Sequence, residues 1–210
     1  MSVESDVQSG AHAAAEPAAP AAPVGNPVLL GLATFLPGAL SLGLWLVGYL
    51  PAADLGGVAP AILFSSGLFL LVATVWCSRV GNSLVGAIFG TFSAFWLSLG
   101  VLVAALTNGW LGLTATSQAL TTFLISWLIV FVLLTLATLR LPLAFTAGFL
   151  FVDITVALVL AYTLTATQIF ATLGGVCVFV FCAIFAYIWF DGVGQELGAK
   201  PMGMGSPMVK

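Results

Sequence analysis

Residues 119–139 read ALTTFLISWLIVFVLLTLATL and contain no charged side chain. A helix needs about 20 mostly apolar residues to cross a bilayer, and this stretch is long enough. Its apolar residues occupy every face instead of alternating with polar ones, which favours a helix over the strand of a membrane barrel. We therefore predict a transmembrane helix at these positions.

Five further stretches share this length and character, at residues 28–50, 58–77, 84–106, 143–164 and 169–190. Only helices and closed barrels satisfy their backbone polar groups within lipid. The mean hydropathy is +1.22, and charged residues make up 5% of the chain, against about 25% in a soluble domain. The sequence thus predicts an all-α membrane protein, a bundle of six transmembrane helices embedded in a lipid bilayer.

The two ends of the chain differ from this apolar centre. Residues 1–25 are rich in Ala and Pro and lack the basic start and apolar core of a signal peptide, so we predict a retained, disordered tail. Residues 26–192 form the predicted transmembrane domain. Residues 193–210 are rich in Gly, Pro and Met, and we expect a short tail that packs under the bundle.

The few basic residues indicate an orientation. Arg79 lies between helices 2 and 3, Arg140 between helices 4 and 5, and Lys200 and Lys210 after helix 6. With six spans, all four fall on the same side as the amino terminus. The positive-inside rule then places both termini in the cytoplasm, with the chain as a multi-pass protein of the bacterial inner membrane. Four basic residues form no patch that would bind nucleic acid.

The sequence offers poor material for catalysis. It contains no nucleophile paired with a base, no phosphate-binding loop and no cluster of metal ligands. Its one histidine, His12, lies in the amino-terminal tail, and its three cysteines form no CxxC site. We predict no enzyme activity, no catalytic residue, no metal and no cofactor, and we interpret the cysteines as packing residues.

Two features within the spans are unusual for lipid-embedded helices. Pro37-Gly38 falls near the middle of helix 1, where Pro37 cannot donate to Ala33 and should kink the helix. The kink has either a structural role or a role in a pathway. Asp153 is the one ionisable residue well inside a span, and it is a candidate for proton coupling. Thr146 and Thr155 are its expected hydrogen-bond partners, and a structural acid is the alternative interpretation.

Several motifs resemble those of the acetate uptake transporter family, also called the acetate/succinate permease (AceTr) family. Residues 26–32 (NPVLLGL) resemble its NPxPLGL signature, and Gly48-Tyr49 follow at the end of helix 1. The other similar segments are Gly81-Asn82, residues 93–98 (SAFWLS), Leu139-Arg140, and the acidic, Pro- and Gly-containing end from Asp191 to Gly203. The resemblance covers residues 25–208 in order.

The resemblance implies a homohexamer in which each subunit carries its own path for small carboxylates. Acetate is the first expected substrate and succinate a further one, with uptake that is either proton-linked symport or channel-like. The family's hydrophobic constriction combines an aromatic residue on helix 1, an aromatic residue on helix 3 and an aliphatic residue on helix 5. Those positions fall on Phe35, Phe92 and Ile154 of this chain.

Physical chemistry restricts what such a path would carry. The spans contain no Lys or Arg, so a buried dianion would find no charge partner. A small monocarboxylate that moves with a proton, or as the neutral acid, is easier to pass. The groups expected to bind substrate are the helix start at Asn26, the amide of Asn82 and the hydroxyls of Ser93 and Thr155.

Two other functions remain open from sequence. One is a passive channel for a small neutral solute such as urea, ammonia or an undissociated acid. The other is a structural or regulatory membrane subunit that transports nothing. Dependence of acetate uptake on a proton gradient distinguishes a proton-linked transporter from the passive channel, and a lack of any flux indicates the structural subunit.

Overall fold

Six long helices make up the computed structural model, which describes residues 25–113 and 117–209. The α-helices are α1 (Pro27–Leu46), α2 (Phe69–Arg79), α3 (Ser83–Asn108), α4 (Ser117–Thr138), α5 (Leu143–Thr165) and α6 (Gln168–Glu196). A 3-10 segment (Ala52–Val58) and a π-helical segment (Ala61–Leu68) lead into α2, and with them the second span runs over Ala53–Arg79. A short 3-10 turn, Trp110–Gly112, follows α3. Each span is long and apolar enough to cross a membrane, so the predicted fold class is confirmed. Most of the predicted amino-terminal tail, residues 1–24, lies outside the described residues.

Capping residues define where two of the helices begin. Asn26 Oδ1 accepts a hydrogen bond from the Val28 amide at 3.1 Å, and Asn82 Oδ1 accepts one from Val85 at 3.4 Å. Each bond satisfies one of the amides that a helix start leaves unpaired. Asn26 also donates through Nδ2 to Glu196 Oε1 at 3.1 Å, so the start of α1 lies beside the end of α6. The two ends of the described bundle therefore meet at one end of the molecule, called here the terminal end.

Pro37 does not end α1, and its surroundings show why. Proline supplies no amide proton, and the next amide, that of Gly38, donates to Ser66 Oγ on the neighbouring span at 3.0 Å. The Ser66 hydroxyl in turn lies 3.0 Å from the Thr34 carbonyl oxygen and 2.9 Å from that of Phe35. Ser66 belongs to the π-helical segment, so the irregular parts of the first two spans face each other. Of the two interpretations of Pro37, the contacts favour the structural one.

The helices surround an interior filled by aromatic rings. α6 packs against α5 and α1, α4 packs against α5, and the second span packs against α1 and α3. The backbones of α3 and α4 approach each other at few points. Rings bridge that gap: the centroids of Phe95 and Phe131 are 5.0 Å apart, and those of Phe92 and Phe131 are also 5.0 Å apart. The contact between α3 and α4 is thus made by large aromatic side chains, and the two backbones stay apart.

The chain after α6 folds back beneath the bundle, as expected for the carboxyl-terminal tail. The Met202 amide donates to Asp191 Oδ1 at 2.6 Å, and Tyr187 Oη donates to the Gly203 carbonyl oxygen at 2.9 Å. Farther along, the amides of Met208 and Val209 donate to the Leu139 carbonyl oxygen at 3.1 and 3.0 Å. The tail is therefore tied to α6 and to the turn between α4 and α5.

Candidate functional site

Two cavities follow each other through the interior of the bundle. The near cavity lies toward the terminal end and measures about 160 Å³. It is lined by Val28, Leu32, Phe35, Val85, Ile88, Phe89, Phe92, Leu141, Phe145, Phe149 and Phe185. The far cavity lies toward the opposite end and measures about 80 Å³. Its lining includes Trp45 and Leu55 on one side and Leu120, Val156 and Val159 on the other.

Phe35 and Phe92 line both cavities, and we call this pair the aromatic partition. Their ring centroids are 5.2 Å apart in an edge-to-face arrangement, and both side chains are buried. Phe185 packs edge-on against Phe35 at 5.4 Å, while Phe131 stacks on Phe92. Neighbouring rings thus hold each member of the pair. The structure brings together these two of the three residues proposed for the constriction.

Ile154, the third proposed member, lies apart from this pair. Its side chain is 38% exposed and lines neither cavity. It shares the outer face of α5 with Leu150, four residues earlier and 49% exposed. The inward face of α5 instead presents Phe149 to the near cavity and Val152 and Val156 to the far cavity.

Both cavities are apolar. Among the described residues that line them, none carries a charge, and the near cavity has only aliphatic and aromatic side chains. The far cavity has one hydroxyl, that of Thr155, which donates to the Phe151 carbonyl oxygen at 2.8 Å. It also contains the indoles of Trp45 and Trp96. An ion that entered would exchange its hydration for an apolar surface, which costs several kcal/mol or more.

Three of the four predicted substrate-binding residues lie away from the two cavities. Asn26 and Asn82 use their side-chain oxygens as helix caps, as described above. Ser93 is buried, and its hydroxyl donates to the Gly67 carbonyl oxygen at 2.8 Å. The polar group of Ser93 thus stabilises the irregular backbone of the second span. Thr155 is the one member of the four that lines a cavity.

Asp153 lies between α4 and α5 and lines neither cavity. Its Oδ2 atom accepts a hydrogen bond from Thr135 Oγ1 at 2.7 Å, and the residue is 9% exposed. Its Oδ1 atom is buried and has no partner in the described part of the chain. The expected partners, Thr146 and Thr155, donate to the carbonyl oxygens of Thr138 and Phe151 instead, so that expectation is wrong. These contacts favour the interpretation of Asp153 as a structural acid.

A pH profile distinguishes the structural role of Asp153 from proton coupling. For uptake of acetate, the substrate that the family resemblance implies, we expect Asp153→Asn to leave the dependence of the rate on pH unchanged, once rates are corrected for the undissociated acid. Asn retains an acceptor for Thr135, whereas Asp153→Ala should destabilise the protein by about 1–3 kcal/mol because the buried Thr135 hydroxyl loses its acceptor. Initial uptake rates against pH and thermal unfolding in detergent provide the measurements. A flattened profile for Asp153→Asn would instead identify Asp153 as the proton carrier.

The comparisons with known proteins agree with this architecture. The family model for the GPR1/FUN34/yaaH family matches residues 9–197. The chain belongs to this family. One similar protein is the Meiotically up-regulated gene 86 protein of Schizosaccharomyces pombe, 33% identical over 135 residues, which are 62% of this chain and 44% of that protein. A second relative is the Acetate transporter protein patA of Aspergillus clavatus, 29% identical over 178 residues, 81% of this chain and 67% of patA.

A solved structure shows the same fold. The bacterial acetate channel SatP superposes with a TM-score of 0.78 at 21% identity, over 87% of this chain and 100% of that chain. Together with the family assignment, this confirms the resemblance to acetate uptake transporters. The chain spans less than half of the S. pombe relative and about two thirds of patA.

Among the described residues, no group of His, Cys, Asp and Glu side chains could hold a metal ion.

Sequence reasoning missed most of the rings that surround the partition. Phe149 and Phe185 line the near cavity, and Phe131 and Phe181 line the far one. The one sequence feature that these phenylalanines share is their position: each lies far from both ends of its span. Depth alone does not separate inward from outward rings, since Phe64 and Phe69 are also within a span and are exposed.

Proposed function

We propose that this protein conducts small monocarboxylates, acetate first among them, across the cell membrane through the interior of each subunit. One observation carries the proposal: two apolar cavities follow each other through the bundle and meet at the partition of Phe35 and Phe92. Family membership and the names of patA and SatP supply the substrate class. The described residues that line the cavities are uncharged, which fits a path for a small acid.

The lining also supports one form of the permeant. A carboxylate ion, and still more the succinate dianion, would cross the partition without any countercharge. The neutral acid needs only to shed a few hydrogen bonds, so it is the form that we propose crosses the rings. Each acid molecule then carries its own proton across the membrane. Uptake therefore responds to a pH gradient as in a proton-linked transporter, although no side chain of the protein has to titrate. Above the substrate's pKa, the neutral fraction falls roughly tenfold for each pH unit.

Purified protein in liposomes tests this proposal. Labelled acetate should enter faster than into empty liposomes, and an inward proton gradient should increase the accumulation. A protonophore should abolish the accumulation. Equal entry of labelled urea would favour a channel for neutral solutes in general. A lack of flux for every small acid and amide would favour a structural subunit.

Assembly and location complete the proposal. We propose a homohexamer on the family resemblance, which native mass spectrometry of the detergent-solubilised protein can test. We also place the chain in the bacterial inner membrane, with the terminal end in the cytoplasm.

The orientation gives a separate prediction. Arg79, Arg140 and Lys200 lie at the terminal end of the bundle or in its tail, and the positive-inside rule assigns that end to the cytoplasm. A reporter fused after Lys210 that fluoresces only in the cytoplasm should therefore be bright, and an alkaline phosphatase fusion at the same position should be inactive. The same two reporters inserted beside Asp54 should give the opposite pair of signals. Active phosphatase at Lys210 would reverse the orientation.

A further inference from the structure

The π-helical segment of the second span (Ala61–Leu68) lies between the two helices that carry the aromatic partition. Phe35 belongs to α1 and Phe92 to α3. The backbones of α1 and α3 approach each other at few points, whereas both pack closely along the π-helical segment. The distance between the two helices at the partition therefore depends on the segment that lies between them.

One residue of this segment binds the backbone of the first partition residue. The side chain of Ser66 is fully buried, and its Oγ atom lies 2.9 Å from the Phe35 carbonyl oxygen. The same atom accepts from the Gly38 amide at 3.0 Å. A Cβ atom at Gly38 would clash with the Ser66 side chain, so glycine there permits the close approach. The segment thus binds α1 on both sides of Pro37.

The next residue of the segment binds the helix of the second partition residue. Ser93 directly follows Phe92 on α3, is 2% exposed and donates through Oγ to the Gly67 carbonyl oxygen at 2.8 Å. A Cβ atom at Gly67 would lie 2.6 Å from Leu97 Cδ2, one turn farther along α3, so this contact also requires glycine. Two consecutive residues, Ser66 and Gly67, therefore connect α1 to α3 at the level of the partition.

The π-helical form of this segment is itself unusual. π-helical turns are rare, and they are frequently found at functional sites. None of the eight residues of this segment lines either cavity, and Ser93 lines neither. An effect of Ser66 or Ser93 on a permeant must therefore act through the two partition rings.

We infer that Ser66 and Ser93 are positioning residues, which fix the spacing of the two partition rings and thereby limit the size of the acid that crosses. Edge-to-face ring contacts occur over centroid distances of about 4.5–7 Å, so the contact between the rings does not by itself fix their spacing. Hydrogen bonds are directional and favour a narrow range of distances, and the two buried serines supply them. This inference rests on the proposed function, and it extends that function to what determines the size limit.

Selectivity in proteoliposomes tests the inference. Ser93→Ala should raise the ratio of lactate uptake to acetate uptake about threefold, because a partition that is held less tightly admits the larger acid. Ser66→Ala should change the ratio in the same direction. A ratio of two substrates does not depend on how many protein molecules are folded, so a loss of stability alone leaves it unchanged. Ser98→Ala is the control, since Ser98 is an exposed residue of α3 that donates to carbonyl oxygens of its own helix.

Fluorine NMR in nanodiscs reports on the rings without any transport. The label is para-fluorophenylalanine, placed at one partition position, and the serine that binds the other helix is replaced. Ser66→Ala should shift the resonance of a label in place of Phe92, and Ser93→Ala should shift that of a label in place of Phe35. Ser98→Ala should shift neither resonance.

The outcomes separate this inference from the proposed function. The inference requires both a raised ratio and a shifted label. If either is absent in folded variants while the wild type takes up acetate, the positioning role is overturned and the transport function remains. Shifted labels in a protein that passes no acid would support the positioning of the rings and contradict transport. Each serine is tested separately, so if one variant does not fold, as judged by size-exclusion chromatography, the other decides.

Discussion

Replacing Phe92 with Leu will raise the ratio of lactate uptake to acetate uptake by about tenfold. Phe92 lines both cavities, and its ring lies 5.2 Å from that of Phe35, so a smaller side chain there opens the aromatic partition between the cavities. Lactic acid exceeds acetic acid by one carbon and one hydroxyl group, and a site that rejects a molecule on size alone discriminates by about 1–3 kcal/mol. Initial uptake rates of both labelled acids in proteoliposomes measure the ratio.

Ile154→Ala is the matched control for this prediction. The family resemblance assigned Ile154 to the same constriction, yet the residue lies on the outer face of α5. Its truncation should leave the ratio of the two acids within about twofold of wild type, since such a surface change is usually worth less than about 0.5 kcal/mol. A larger effect at Ile154 than at Phe92 would place the barrier outside the aromatic partition. Phe92→Leu leaves some space unfilled, so equal amounts of folded protein must be verified for each variant.

Replacing Ser66 with Ala will lower the free energy of unfolding by about 2 kcal/mol. The Ser66 hydroxyl accepts from the Gly38 amide and also contacts the carbonyl oxygens of Thr34 and Phe35. Alanine fills nearly the same space but removes these hydrogen bonds from a region shielded from water. Reversible unfolding in mixed detergent micelles, or the midpoint of thermal unfolding, provides the measurement.

Ser41→Ala serves as the comparison for Ser66→Ala. Ser41 also donates to a backbone carbonyl of α1, that of Pro37, at 2.7 Å, but it lies at an exposed position and accepts from no amide. Its loss should cost less than about 0.5 kcal/mol. Equal stability losses for the two serines would show that the break at Pro37 does not depend on Ser66.

Local patterns in the sequence predicted the spans better than they predicted the interior. Continuous apolar runs revealed six helices, and Asn26-Pro27 correctly marked the start of α1. α5, however, is apolar on all sides, so no periodicity indicates which face turns inward. Placing Ile154 therefore depended on family resemblance, and its actual position depends on how α5 packs against α4 and α6.

The sequence did not predict the partners of the polar residues for a related reason. Within lipid, a hydroxyl or carboxyl group binds whichever acceptor or donor the neighbouring helix supplies, and that neighbour is distant in sequence. Asp153 binds Thr135 on α4 instead of a threonine on its own helix, and Ser93 binds the backbone of the second span. Ser66 belongs to the pair Ser65-Ser66, and the sequence does not indicate which of the two hydroxyls turns toward the Pro37 region. The role of Ser66 as a hydrogen-bond partner of α1 becomes evident only from the packing of the second span against the Pro37 region.

The contact between Ser66 and the break in α1 also bears on how the protein is made. Alone in hydrocarbon, the first span would expose the Gly38 amide and nearby carbonyl oxygens, each at a cost of several kcal/mol. The first span is stabilised within lipid once the second span is inserted beside it and the Ser66 hydroxyl binds these backbone groups. The first two spans should consequently leave the insertion machinery together, as a helical hairpin, and a nascent chain halted before residue 66 should remain crosslinkable to that machinery.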